Sequence, residues 1–400
     1  MYRGRKIHIR KENEEYVVYL KKSNQFFLAN KIASDIMIKI DMGLKRSEII
    51  EWLMKEYGMS FQYAQANIIN VSSCIQKDSV GVPSNMKFSA PVRVGWRVTP
   101  KCNLKCKHCY LDCANKIEKS ELSFEQCKII VDKLEKSGIM EILVTGGELF
   151  MRKDIKTLLG YITSKNINIT LFTNATLINE SCDWLKNIQI RKINISLDGE
   201  KEAHDSLRGQ GNFDKTMSAI GLLKQWGISV AINCVVSTFN VDKLDEIENF
   251  FDSQQLEHQY TMITPVGSAI DNGYLVPSDD QYKKATKLIY DMMRENGKVA
   301  SYYDIDDEKF YVGKNDTNLS SSSGWMCNAG HTKIDIDFNG DVYLCPFDAS
   351  TKICNILTDD LNDAWGKRYD LMFMKNKNLN IKHICDPLSN YMKEFQGKND

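Results

Sequence analysis

Six strand-like runs recur between Pro91 and Pro277 with helical patterns in the gaps between them, and this alternation constrains the fold more than any other feature. The runs occupy residues 92–98, 141–145, 169–173, 192–197, 230–236 and 259–264. Between them, Ser123 and Gln126 form a capping box ahead of Ile129, Ile130 and Leu134. Strands separated by helices pair in parallel, so the pattern predicts an α/β fold with six βα repeats, open or curled into a partial barrel. In such sheets chemistry gathers at the carboxyl ends of the strands. The unusual residues of this chain fall there.

Directly after the first run comes Thr99-Pro100-Lys101-Cys102-Asn103-Leu104-Lys105-Cys106-Lys107-His108-Cys109-Tyr110. Cys102, Cys106 and Cys109 have the spacing C-x3-C-x2-C. Three thiolates on one short loop can hold three corners of a cubane iron–sulfur cluster and leave the fourth iron open to a ligand. A structural zinc ion is the plainer alternative, with His108 or Cys113 as fourth ligand. The chain has 12 cysteines. Cys74, Cys127, Cys182 and Cys234 stand alone inside apolar patterns and read as core residues.

Two further regions flank the repeats. Residues 1–86 open with alternating runs at 16–20 and 25–29, followed by three helical patterns. Asn30 caps the first, Ser47 the second, and Ser60 starts the third, which carries Ala64, Ile68, Val71 and Ile75 at helical spacing. This order predicts a small winged-helix-like module, joined by a linker at residues 81–91. Residues 278–400 begin with a helix at 281–295. They continue through the serine run 320–323 to a tail with Cys327, Cys345, Cys354 and Cys385. The three domains are thus expected at 1–86, 87–277 and 278–400.

Charge excludes some functions. Lys+Arg and Asp+Glu both number 52, so no overall field favours nucleic acid or an anionic membrane. No apolar run approaches the ~20 residues that span a bilayer, and the first residues lack the apolar stretch of a secretory signal. A cytoplasmic protein without nucleic-acid or membrane partners is expected.

Four motifs in order resemble those of the radical S-adenosylmethionine superfamily. They are the three-cysteine loop; Thr145-Gly146-Gly147-Glu148; Phe172-Thr173-Asn174-Ala175-Thr176-Leu177-Ile178; and Ile195-Ser196-Leu197-Asp198-Gly199 with Leu207-Arg208-Gly209 beyond it. Leu149 and Ala175 stand where the family usually has proline and glycine. The resemblance implies a [4Fe–4S] cluster on Cys102, Cys106 and Cys109, and S-adenosylmethionine contacted by His108, Gly146, Gly147, Glu148, Asn174, Ser196 and Arg208. It also implies an electron donor such as flavodoxin or ferredoxin. One-electron reduction of the sulfonium would then give a 5′-deoxyadenosyl radical that takes hydrogen from a substrate.

The tail, with Gly340-Asp341-Val342-Tyr343-Leu344-Cys345-Pro346, resembles the SPASM and twitch extensions of this superfamily. That implies one auxiliary iron–sulfur cluster on three or four of Cys327, Cys345, Cys354 and Cys385. The first module resembles the PqqD-like recognition element of ribosomal-peptide maturases, which takes a leader peptide as an added strand. Together these imply modification of a precursor peptide held through its leader, usually as a thioether or carbon–carbon crosslink. Tetrapyrrole-modifying enzymes, sulfatase maturases and a non-catalytic peptide-binding partner are the alternatives; Pro346 stands where sulfatase maturases generally carry an aspartate.

Overall fold

The computed structural model describes residues 1–23, 25–76, 88–113, 121–295, 301–304, 309–312, 329–330 and 332–368. Cys327, Cys385, the serine run 320–323, most of the 81–91 linker and the side chains of Cys74 and Ile75 lie outside the described residues. The chain divides into two compact units, Met1–Ser89 and Ala90–Asp400.

The first unit is a four-stranded antiparallel sheet, β1 (Tyr2–Arg3), β2 (Ile7–Glu12), β3 (Glu15–Leu20) and β4 (Gln25–Ala29), in that order. Three helices follow, α1 (Lys31–Asp41), α2 (Arg46–Tyr57) and α3 (Phe61–Gln76). Alternation puts Ile7, Ile9, Val18 and Leu20 against Ile36, Ile49, Leu53, Ile68 and Val71 in one core. Asn30 caps α1 by accepting from the Ala33 amide at 2.8 Å. α2 departs from the expectation. It starts one residue before Ser47, and Glu48 closes its first turn by accepting from the Lys45 amide at 2.6 Å.

The second unit carries the expected parallel strands. They are β5 (Arg93–Arg97), β6 (Glu141–Thr145), β7 (Asn168–Thr173), β8 (Ile190–Ser196), β9 (Val230–Val236) and β10 (Glu257–Met262). The crossovers hold α4 (Phe124–Lys136), α5 (Ile155–Ser164), α6 (Lys201–Arg208), α7 (Asn212–Gln225) and α8 (Leu244–Ser253). The capping box of α4 is present, with the Gln126 amide donating to Ser123 Oγ at 3.3 Å and Ser123 N donating back at 2.9 Å. Two helices, α9 (Ser268–Asp271) and α10 (Asp279–Glu295), and a hairpin, β11 (Ser301–Asp304) and β12 (Lys309–Val312), follow.

The expected boundary at 277/278 is not a break in the sheet. β13 (Lys333–Ile336) pairs parallel with β5, and β14 (Asp341–Tyr343) and β15 (Lys352–Asn355) extend it antiparallel. The nine strands run β10-β9-β8-β7-β6-β5-β13-β14-β15. A last helix, α11 (Leu361–Gly366), follows. Lys133 of α4 fastens this extension by donating to the carbonyls of Ile356, Leu357 and Asp359 at 2.6–3.1 Å. Cys127, Cys182 and Cys234 are buried, as core residues should be. No helix among the described residues is long and apolar enough to cross a membrane.

Candidate active site

At the carboxyl ends of the parallel strands lies a cavity of about 340 Å³. Gly95 of β5 and Thr261 of β10 both line it, so the sheet is curled around it although these strands do not pair. Its wall holds Cys102, Cys106, His108, Cys109, Gly146, Gly147, Asn174, Ser196 and Arg208 together. Four strand-end segments far apart in sequence therefore meet in one place.

The cysteine loop is held by its neighbours. Gly147 N donates to Thr99 O at 2.9 Å and Glu148 N to Lys101 O at 2.7 Å. A Cβ on Gly146 would meet Thr99 O at 2.8 Å, and one on Gly147 would meet Lys101 O at 2.3 Å. The glycine pair therefore gives room first to the cysteine loop itself. Asn174 Nδ2 donates to Asn103 Oδ1 at 3.0 Å, Lys107 N to Leu207 O at 3.0 Å, and Ser268 N to Cys109 O at 2.9 Å. Ala175, where the family has glycine, sits at φ 62°, a left-handed conformation that glycine enters freely and alanine does not.

Glu148 differs from the expectation. Its carboxylate does not line the cavity but accepts from Thr173 Oγ1 at 2.8 Å, Asn174 N at 2.8 Å and Phe150 N at 3.2 Å. It braces the ends of β6 and β7, and burial raises its pKa.

Arg208 is held in place before any ligand arrives. Its Nε donates to Asp198 Oδ2 at 2.6 Å and its Nη2 to Oδ1 at 3.2 Å, while Nη1 lies 3.9 Å from Cys106 Sγ. Burial would raise the Asp198 carboxyl, but Arg208 and then His108 hold it down to about 2. Burial, reinforced by Arg208, lowers His108 to about 4, so its imidazole is neutral. His108 Nδ1 is buried and has no hydrogen-bond partner among the described residues.

This donor set fits an iron–sulfur cluster and a polar cofactor. Three thiols face one cavity with a guanidinium beside the second. Burial pushes Cys102 up to about 12 and Cys106 up to about 11, while hydrogen bonds, first from the Cys113 thiol, bring Cys109 down to about 6. Buried sulfurs that raise one another's pKa are stabilised by a bound cation.

Of the tail cysteines, Cys345 and Cys354 are described, and neither lines this cavity. Cys354 lies on β15 across from Val342, 7% exposed, with its thiol pushed by burial to about 12. The sequence reading missed Gly95 and Asp335, which face each other across β5 and β13 and both line the cavity. A glycine inside the apolar run 92–98 was the available signal, because strand glycines mark close approach.

A family model described as the Radical SAM superfamily matches residues 96–251. Mycofactocin maturase MftC of Mycolicibacterium smegmatis is 32% identical over 278 residues, 68% of this chain and 69% of its own. Fe-coproporphyrin III synthase of Methanosarcina barkeri is 31% identical over 243 residues, 58% of this chain and 60% of its own. Among solved structures, Streptococcus suis SuiB bound to S-adenosylmethionine is similar in fold, with a TM-score of 0.62 over 91% of this chain and 88% of that one, at 18% identity. SuiB bound to precursor peptide SuiA gives a TM-score of 0.61 over 90% and 87%, at 17% identity.

Proposed function

The chain belongs to the Radical SAM superfamily, and from that premise we propose that it matures a ribosomally made precursor peptide. A member of this superfamily uses a [4Fe–4S] cluster and S-adenosylmethionine. When bound, they supply one-electron cleavage of the sulfonium and a species able to take a substrate hydrogen. In this reading Cys102, Cys106 and Cys109 ligate the cluster. Gly146, Gly147, Asn174 and Ser196 shape the cofactor's seat, and neutral His108 offers it a polar contact. Arg208, fixed by Asp198, places a positive charge beside Cys106. The curled sheet excludes water from the seat.

The observation that carries the peptide reading is the reach of the likeness to SuiB. It spans 91% of this chain, more than residues 90–400 contain, so it extends into the first unit. That unit then serves as the PqqD-like element and takes the leader as a strand beside β4, which ends the order of its sheet. Ile68 and Val71 of α3 are each 5% exposed and belong to the core of this unit, so they are not free to contact a leader. Apolar selectivity falls to exposed residues such as Ile69 of α3. Tethering the leader there raises the local concentration of the core peptide at the cavity. An auxiliary cluster in the tail, drawing on Cys345 with Cys327, Cys385 and Cys354 as the remaining candidates, and a thioether or carbon–carbon crosslink as product complete the reading. Flavodoxin or ferredoxin would deliver the electron.

The 31% identity to Fe-coproporphyrin III synthase favours a second reading, a tetrapyrrole substrate. One experiment separates them. The reconstituted enzyme is incubated with the peptide encoded by the short reading frame beside its gene, and separately with Fe-coproporphyrin III. A mass change in the peptide, lost when residues 1–89 are deleted, is expected. Turnover of the tetrapyrrole alone would overturn the peptide reading. An unchanged KM for full-length precursor after the deletion would reduce the first unit to a structural cap.

A further inference from the structure

Asp335 stands on β13 directly across from Gly95 of β5. Strand alternation turns Lys333 and Asp335 toward the cavity, while Ile334 and Ile336, fully buried, face the other way. Gly95 makes this possible. A Cβ there would lie 2.1 Å from Asp335 Oδ1, so the carboxylate rests on bare backbone and reaches the cavity over β5.

The two oxygens of this carboxylate differ. Oδ1 lies 3.2 Å from Lys333 Nζ. Oδ2 is buried and has no hydrogen-bond partner among the described residues, in a side chain only 8% exposed. A buried carboxylate oxygen without a donor is costly, and a fold keeps one where a ligand supplies the donor. Thr261, Met262 and Thr264, at and just beyond the end of the last parallel strand, line the same cavity. Asp335 therefore lines the same cavity as residues of the first and last strands of the parallel set, which do not pair with each other.

We propose that Asp335 anchors the substrate, its Oδ2 accepting a hydrogen bond from a backbone N–H of the peptide segment beside the residue being modified. The inference rests on the peptide reading. Lys333 already balances the carboxylate's charge, so what remains is an acceptor for a neutral donor, and a peptide amide is such a donor. A carboxylate-bearing tetrapyrrole would set acceptor against acceptor at the same place.

The test uses the full-length, reconstituted enzyme and a synthetic peptide with the sequence of the short reading frame beside the gene. Loss of a hydrogen bond to a charged acceptor should raise KM about ten- to a hundredfold in Asp335→Ala, with a smaller change in kcat. Gly95→Ala, which displaces the carboxylate, should do the same. Asp335→Asn keeps the volume and one acceptor oxygen, so it should show a smaller rise, and it replaces the alanine variant if that fails to fold. A scan of single N-methyl amides along the core peptide should then find one position that weakens binding to the wild type but not to Asp335→Ala. An unchanged KM in Asp335→Ala, or an N-methyl effect that persists in it, would overturn the inference while leaving the peptide reading intact. A wild type that processes no peptide would remove both.

Discussion

At the amino ends of β5 to β8, Glu141 is fully buried. It lies 3.0 Å from Arg93 Nε and accepts from Arg191 Nε at 2.9 Å and Thr170 Oγ1 at 2.6 Å. Toward the carboxyl ends of the same strands, three cysteines, His108 and, from β13, Asp335 line a cavity, and His108 Nδ1 and Asp335 Oδ2 are buried without a hydrogen-bond partner among the described residues. One end meets its buried charge with two arginines from neighbouring strands, although Glu141 Oε2 is held by ion pairing and not by a hydrogen bond; the other gathers thiols and polar groups around a cavity. The difference teaches where to look for each property. Changes at the amino end should act on stability, and changes at the carboxyl end on chemistry.

The largest stability effect should therefore come from Glu141→Ala. Removing this carboxylate strands two guanidiniums in a mostly buried site, at a cost of about 3–5 kcal/mol. Urea unfolding of the second unit should show it, while the fraction that remains folded still cleaves S-adenosylmethionine. A loss under about 1 kcal/mol would mean that water serves the arginines equally well, and the contrast between the two ends would weaken.

A smaller effect of opposite sign is expected at the functional end. Ala175 holds a left-handed backbone at φ 62°, so Ala175→Gly should stabilise the fold by up to about 1 kcal/mol, net of the flexibility glycine adds to the unfolded chain. Thermal melting measures this. A destabilised variant would show that the buried methyl group contributes more packing than its backbone strain costs.

How much of this was legible in the sequence also differs between regions. The six parallel strands were visible because the central ones are covered on both faces and carry apolar residues along most of their length, as in Ile-Leu-Val of β6. Glu141–Thr145 and Val230–Val236 match residue for residue, and β10 lies two residues earlier than its pattern suggested. The strand-end motifs are local, so their convergence followed from the fold class. β2 was not legible. Its sequence Ile-His-Ile-Arg-Lys-Glu looks polar, yet His8, Arg10 and Glu12 are buried, with Arg10 paired to Glu12 at 2.7 Å. Nor could any local pattern show that Lys333–Ile336 adds to the edge of β5, some 240 residues away. Asp335 and Gly95 become meaningful only through that pairing.

The central claim is that Cys102, Cys106 and Cys109 are the ligands that make this fold a radical enzyme. The most direct measurement is dithionite-driven release of 5′-deoxyadenosine from S-adenosylmethionine, without substrate, by anaerobically reconstituted wild type and by the Cys102→Ala, Cys106→Ala, Cys109→Ala triple variant. The account predicts release by the wild type and none by the variant, with a circular dichroism spectrum unchanged because the loop is not core. Release by the folded triple variant at the wild-type rate would contradict it.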